Sequence, residues 1–276
     1  MLIKSYAKIN FDLQILGKND KGMHLLSSFT FPISLYDDIY LELNKSGKVK
    51  IECDNPEIPT DKDNICYKAV ELLRERQPFV EGVKIKIIKR IPVMAGLGGG
   101  SSNAAAILKG LNELLNLNLT RKELLELAAS LGSDVPFFIY NKPALILGDG
   151  RRIKPLKWAA NPWILIVKPA GGVSTKEAYK RFDKLAKKSV QYSIDYTDYQ
   201  AAFEASRNDL EEAAEELCPS IAKLKAELGS EGLRYVRMSG SGSCVYALSE
   251  SKKELEAIQE EIKGQYPFIK IVHPVI

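Results

Sequence analysis

The chain has 276 residues, 45% of them hydrophobic and 27% charged, with a net charge of +4. That length carries one large domain or two ordinary ones around a sizeable core, and the composition is that of a soluble globular protein. No apolar run approaches the roughly 18 residues of a membrane span, and the mild charge argues against a nucleic-acid partner, because "KIKIIKR" (84–90) and "RRIK" (151–154) lack interleaved aromatics.

Elements follow in chain order. Ala7, Ile9, Phe11, Leu13 and Ile15 alternate with Lys8, Asn10, Asp12 and Gln14, which predicts a half-buried strand with Lys8 and Asn10 on one polar face. The strands "DIYLEL" (38–43) and "KVKIEC" (48–53) flank "NKSG", a hairpin signal. A helix is expected from Asn64 to Arg76, then the strand "VKIKIIK" (83–89), whose lysines read as a solvated face. After a glycine-rich loop, Ala104, Ile107, Leu108, Leu111, Leu114 and Leu115 form one apolar stripe of a helix. Thr120 and Glu123 form a capping box for the next helix, with Leu124, Leu127, Ala128 and Leu131 facing inward. "GSDVPFF" (132–138) then turns the chain toward the strand "ALIL" (144–147).

A second half starts near Trp158. "WILIVK" (163–168) reads as a central strand, helices are expected at 175–186, 208–217 and 219–228, and "RYVRMSGSGSCVYAL" (234–248) as two strands around a Gly/Ser turn. "SKKE" (251–254) is a second capping box, opening a helix to about Lys263. The whole predicts an α/β (α+β two-layer) fold in two domains, 1–157 and 158–276, with the active site in the cleft between them. The opening "MLIKSYAKINFDL" lacks a signal-peptide core. Cys53, Cys66, Cys218 and Cys244 form no CxxC pair and read as free thiols of a cytoplasmic protein. His24 and His273 are the only histidines, too few for a histidine metal site.

The loop carries the chemistry. In "RIPVMAGLGGGSSNAAAILKGLN" (90–112), Gly96, Gly98, Gly99 and Gly100 precede Ser101, Ser102 and a helix. Glycines lose much entropy on folding, while a helix N-terminus offers unpaired N–H groups and positive partial charge. Together they make a phosphate cradle, to which the serines add donors or an oxygen for Mg²⁺. The P-loop pattern fails for want of a lysine, and the dinucleotide fingerprint fails at Ser101.

"PVMAGLGGGSSNAAA" closely resembles the phosphate-loop signature of the GHMP kinases, the family named for galactokinase, homoserine kinase, mevalonate kinase and phosphomevalonate kinase. "YAKINFDLQILGK" (6–18), "KGMHLL" (21–26), "LGSDVPFF" (131–138), "VSTKEAY" (173–179), "RNDLEEAA" (207–214) and "MSGSGSCVYAL" (238–248) extend the resemblance over essentially the whole chain. They resemble the branch whose substrate is a cytidine-diphosphate-linked methylerythritol.

The resemblance implies transfer of the γ-phosphoryl of ATP, with Mg²⁺, to a small-molecule hydroxyl, a reaction of positioning and charge neutralisation. It implies an ATP cradle of Pro92, Val93, Met94, Ala95, Gly96, Leu97, Gly98, Gly99, Gly100, Ser101 and Ser102, with Asn64 near the adenine. Asp134, on its own a turn or cap residue, aligns with the catalytic aspartate. Lys8, on its own a solvated strand residue, aligns with the lysine beside the reacting hydroxyl. Asn10, His24 and Tyr179 are implied substrate contacts, the last two at the cytosine end. The sequence departs from the family pattern at Met23, where a stacking tyrosine is usual, and at Asn103, where Asp is commoner. A thioether still packs on a ring, and Asn103 points to an altered metal requirement. The expected partners are ATP and the small-molecule substrate, with no nucleic acid or membrane, in a monomer or homodimer; the metal ligands are not legible.

Overall fold

The computed structural model describes residues 1–185 and 192–276. Its elements in chain order are β1 (Leu2–Asn10), β2 (Gln14–Lys18), β3 (His24–Asn44), β4 (Val49–Cys53), α1 (Ile65–Arg76), β5 (Gly82–Ile88), α2 (Gly99–Leu114), α3 (Arg121–Leu131), α4 (Val135–Tyr140), β6 (Ala144–Gly148), β7 (Arg152–Pro155) and β8 (Trp163–Lys168). They continue with α5 (Thr175–Lys184), α6 (Tyr199–Ala205), α7 (Glu211–Leu217), α8 (Ser220–Ser230), β9 (Tyr235–Met238), β10 (Val245–Ser249), α9 (Lys252–Glu261) and β11 (Phe268–Val272). The mixed α/β class is as expected.

Two compact units interleave along the sequence. The first is Met1–Ala7, Leu35–Ile91 and Gly98–Lys142; the second is Lys8–Ser34, Pro92–Leu97 and Pro143–Ile276. The chain therefore changes unit within β1, within β3, on either side of Pro92–Leu97 in the glycine loop, and between Lys142 and Pro143.

In the first unit, β5 pairs antiparallel with β3 (Asn44↔Gly82, Asp38↔Ile88) and parallel with β4 (Val49↔Val83). This overturns the predicted hairpin between 38–43 and 48–53. The "NKSG" turn instead arches over the start of β5, and α1 carries the chain from β4 to β5 as a crossover. A Cβ at Gly82 would run into Asn44 Oδ1 and Ser46 Oγ, so only glycine fits under the turn. Asn64 caps α1 through its Oδ1, which accepts from Cys66 N–H at 2.7 Å.

α2 packs against α1, α3 and α4. It is less amphipathic than a single stripe predicts, because Ser102 through Leu108 are all buried. Small residues allow this: Ala104, Ala105 and Ala106 let neighbours approach from every side, and a Cβ at Gly110 would lie 2.6 Å from Ile3 Cδ1 and 2.8 Å from Leu41 Cδ2. The Thr120–Glu123 capping box forms as read, with Thr120 N–H donating to Glu123 Oε2 at 2.9 Å. "GSDVPFF" leads into the short helix α4 rather than straight to a strand.

In the second unit, β3 pairs with β2 (Lys18↔His24) and β6 (Ser28↔Ile146), and β6 pairs with β7. A separate antiparallel sheet has the order β11–β8–β10–β9. "WILIVK" lies inside it as predicted, with Ile164 to Val167 fully buried. The Gly/Ser turn joins β9 to β10 (Val245↔Met238), again as read. Ser251 caps α9, but the Glu254 carboxylate bonds Ser249 Oγ instead of closing the predicted box.

The alternating stretch 7–15 gives the largest surprise. Its polar face is not solvated: Lys8, Asn10, Asp12 and Gln14 are all buried. Burying polar groups is costly unless each finds a partner. Asp12 accepts from Gln14 Nε2 (2.9 Å), Arg207 N–H (3.2 Å) and the Tyr196 hydroxyl (3.2 Å). Burial nonetheless pushes its carboxyl pKa above the usual range, against these hydrogen bonds and the Arg237 charge.

Candidate active site

The glycine loop is anchored in the second unit by its backbone. Ser243 N–H donates to Met94 O and Cys244 N–H to Ala95 O, both at 3.2 Å, and the Ser239 hydroxyl donates to Gly96 O, also at 3.2 Å. Lys8 N–H donates to Leu97 O at 3.0 Å. Ala95 and Leu97 point inward as plugs, while Met94 is exposed at φ 50°. Gly96 has φ 70°, and a Cβ there would collide with Ser239 O. Bare backbone is therefore required at Gly96 by its own turn and by the close approach of the Gly/Ser turn.

In the first unit, Gly98 is the N-cap of α2 in left-handed conformation, with no side chain capping the helix. The opening N–H groups of α2 thus keep the donor capacity that a serine cap would have used. A Cβ on Gly99 would meet Ile91 Cγ2 at 3.0 Å and Lys89 Nζ at 3.1 Å, whereas Gly100 is exposed. Ser102 and Asn103 point into the unit. Ser5 Oγ lies 2.7 Å from both the Ser102 hydroxyl and Asn103 Oδ1. Asn103 Oδ1 accepts only, so the Ser5 proton serves it and Ser102 donates to Ser5.

Lys89 departs from the solvated face expected of this strand's lysines. Its Nζ pairs with buried Asp37 Oδ2 at 2.5 Å, and Asp37 Oδ1 accepts from Arg90 and Ile91 N–H at 2.7 and 2.8 Å. Period two already places Lys89 with Ile85 and Ile87, opposite Lys84 and Lys86. The result is a fixed cation beside the first turn of α2.

Asp134 is half-buried at the N-cap of α4, with no side-chain cap hydrogen bond. Val135 N–H, at the first position of α4, bonds Gly132 O at 3.3 Å. α4 is tied to the cradle helix by Lys109, whose Nζ donates to Phe138 O at 3.0 Å; burial lowers its pKa. Asn64 is buried, and both ends of its amide are used, Nδ2 donating to Pro59 O at 2.6 Å.

In the second unit, Lys8 is 4% exposed and its Nζ donates to Asn10 Oδ1. Asn10 Nδ2 donates to Ser28 Oγ (2.8 Å) and Thr30 Oγ1 (3.0 Å), and its N–H to Ser239 Oγ (3.3 Å). Asn10 therefore orients Lys8 as much as it faces any ligand. Gly240 passes close by, since a Cβ there would lie 3.0 Å from Asn10 Oδ1 and 3.1 Å from Lys8 Nζ. His24 and Tyr179 come together, their rings 4.6 Å apart at 31°. His24 Nε2 lies 2.8 Å from Asp183 Oδ1, a partner the sequence did not suggest. Met23 is exposed beside them in sequence.

The uncapped, glycine-lined start of α2 fits the phosphates of ATP. Among the described residues no group of three acidic, His or Cys side chains could cage a metal.

Comparisons with known proteins agree with this geometry. The model for the GHMP kinases N terminal domain matches residues 64–142, and that for the GHMP kinases C terminal matches 198–267. The chain is 37% identical over its full length, and that of the relative, to the 4-diphosphocytidyl-2-C-methyl-D-erythritol kinase of Clostridium botulinum (strain Alaska E43 / Type E3). It is 37% identical to the enzyme of that name from Bacillus cytotoxicus, over 96% of this chain and 93% of the relative. A solved 4-(cytidine 5'-diphospho)-2C-methyl-D-erythritol kinase superposes with a TM-score of 0.81 at 29% identity, covering 99% of each chain. The L. major mevalonate kinase, at 18% identity, 99% of this chain, 95% of that one and a TM-score of 0.71, shares the fold. The chain belongs to the GHMP kinases, ATP-dependent kinases of small molecules.

Proposed function

We propose that this kinase transfers the γ-phosphoryl of ATP to the 2-hydroxyl of 4-diphosphocytidyl-2-C-methyl-D-erythritol, a step of non-mevalonate isoprenoid synthesis. The observation that carries the reading is full-length identity of 37% to relatives bearing that activity in their name. The pairing of His24 with Tyr179 supports it, because an imidazole on a phenol ring is suited to a nucleobase.

In this reading the backbone from Pro92 to Ser102 receives the ATP phosphates, and Asn64 shapes the adenine side by capping α1. Asp134 orients or deprotonates the attacking hydroxyl. Lys8, held by Asn10, neutralises charge that develops on the transferring phosphoryl group. Mg²⁺, when bound with ATP, shields the phosphate oxygens. Asn10 lies toward the diol, and His24 and Tyr179 toward the cytosine. Both substrates are charged and do not cross a bilayer unaided, which supports a cytoplasmic enzyme; we take it to act as a monomer or homodimer.

The test is ATP-dependent ADP release with this substrate and Mg²⁺, wild type beside Asp134→Asn. Turnover in the wild type with a fall of about a hundredfold or more in the variant is expected. Turnover with mevalonate or homoserine alone would overturn the substrate and leave the kinase.

A further inference from the structure

Lys18, His24 and Asp183 form a connected row in the second unit. Asp183 Oδ2 accepts from Lys18 Nζ at 2.7 Å, and Oδ1 lies 2.8 Å from His24 Nε2. Lys18 and His24 are a cross-strand pair of β2 and β3. Tyr179, Phe182 and Asp183 come from one face of α5, three and four residues apart. The imidazole is thus gripped three ways: by Asp183 at its rim, by the Tyr179 ring at 4.6 Å, and by the Phe182 ring edge-on at 6.4 Å.

The chemistry of that grip is directional. A carboxylate only accepts, so the neutral imidazole must carry its proton on Nε2 and keep a lone pair on Nδ1. Lys18 pairs with the other carboxylate oxygen and so favours this orientation of Asp183. A lone pair at Nδ1 accepts from an exocyclic amino group and repels a carbonyl oxygen in the same place. Cytosine carries the amino group there; uracil carries the carbonyl.

We infer that Asp183 is a positioning residue that fixes His24 as its Nε2–H tautomer and so makes the site select a cytosine over a uracil base. This rests on the cytidine-linked substrate proposed above. Met23, exposed where the family pattern has a stacking tyrosine, leaves more of the recognition to this polarised imidazole.

The experiment has two arms. His24 and His273 are the only histidines, so imidazole ¹⁵N NMR of a His273→Gln background reads His24 alone. A protonated Nε2 with a bare Nδ1 is expected near pH 8, giving way to mixed tautomers in Asp183→Ala; a proton on Nδ1 in the parent would overturn the inference. In the second arm, the cytidine- and uridine-linked substrates are compared. Asp183→Ala is expected to raise KM for the cytidine compound about tenfold, the scale of one hydrogen bond to the base, with kcat and the KM for ATP little changed. Its preference for cytosine should collapse, while Asp183→Asn, which still offers an acceptor, should retain part of it. If Asp183→Ala and Asp183→Asn keep the wild-type ratio of cytosine to uracil, Asp183 is a structural ion-pair partner and the inference falls. Wild type that turns over neither compound overturns the substrate reading itself, which the NMR arm does not depend on.

Discussion

Asn208 holds the Gly/Ser turn by its backbone: its Nδ2 donates to Met238 O at 3.0 Å and to Gly240 O at 2.8 Å, while its Oδ1 accepts from Leu210 N–H at 3.0 Å. That turn in turn clamps Met94, Ala95 and Gly96 of the glycine loop. Asn208→Ala would strand buried carbonyls and one N–H, at a cost of about 2–4 kcal/mol. Urea unfolding should show that loss. In the folded variant, KM for ATP should rise, because the clamp on the loop is loosened. A stability unchanged within experimental error would mean that the turn holds its shape unaided.

The loop itself separates into glycines that must be glycine and one that need not be. Gly96→Ala would put a methyl into Ser239 O at a backbone φ of 70°, so either the loop or the Gly/Ser turn must move. A drop in kcat/KM for ATP of about a hundredfold is expected, since misplaced positioning groups cost that much. Gly100 is the control for folding. It lies in the first turn of α2, where a Cβ would meet only Ile65 Cγ2 at 3.8 Å. Gly100→Ala should hold or raise the melting temperature, by the helix preference of about 0.5–1 kcal/mol. Equal thermal stability of the two variants would contradict the clash.

Asn103 can be tested as a packing residue against the metal reading of its place. Its Oδ1 is taken by Ser5 inside the first unit, and the residue is buried. Asn103→Ala should cost about 1–2 kcal/mol, and Asn103→Asp should leave the Mg²⁺ concentration for half-maximal rate where it is. A clear shift of that concentration in Asn103→Asp would show that position 103 reaches the ion after all.

What could be read from the sequence was local. The glycine loop and the T-x-x-E box declare themselves because both depend on backbone geometry within a few residues. Relationships made across the chain were not legible. Alternation at 7–15 looks the same whether its polar face meets water or meets Ser28, Thr30 and Tyr196, and here it meets the latter. Asp183 reaches His24 across a separation of 159 in the sequence, and no local pattern marks it. The wrong hairpin has the same cause: β5, from beyond α1, takes the place beside β3 that the turn seemed to reserve for β4. Lys89 is the exception, since its parity with Ile85 and Ile87 is written in the sequence and places it on the buried side of the strand.

Asp12 makes the buried polar face measurable. Desolvation raises its pKa in the fold above the unfolded value of about 3.9. The native state therefore holds the proton more tightly than the unfolded chain, and protonation favours folding. Its contribution is fully present below about pH 3.9 and is lost as pH rises through the folded value. Asp12→Asn removes the titration while keeping one acceptor for Gln14 or Arg207. The stability of the wild type relative to Asp12→Asn should thus grow as pH falls from 8 toward 4.5, measured by urea unfolding at each pH. Asp183 does not produce that trend: burial raises its pKa, but hydrogen bonds from Lys18 and His24 outweigh this and hold it below the usual range. Its stabilisation is present above about pH 3.9 and fades only below that. A gap between wild type and Asp12→Asn that stays flat over the range would mean that the hydrogen bonds to Asp12 and the Arg237 charge balance its burial.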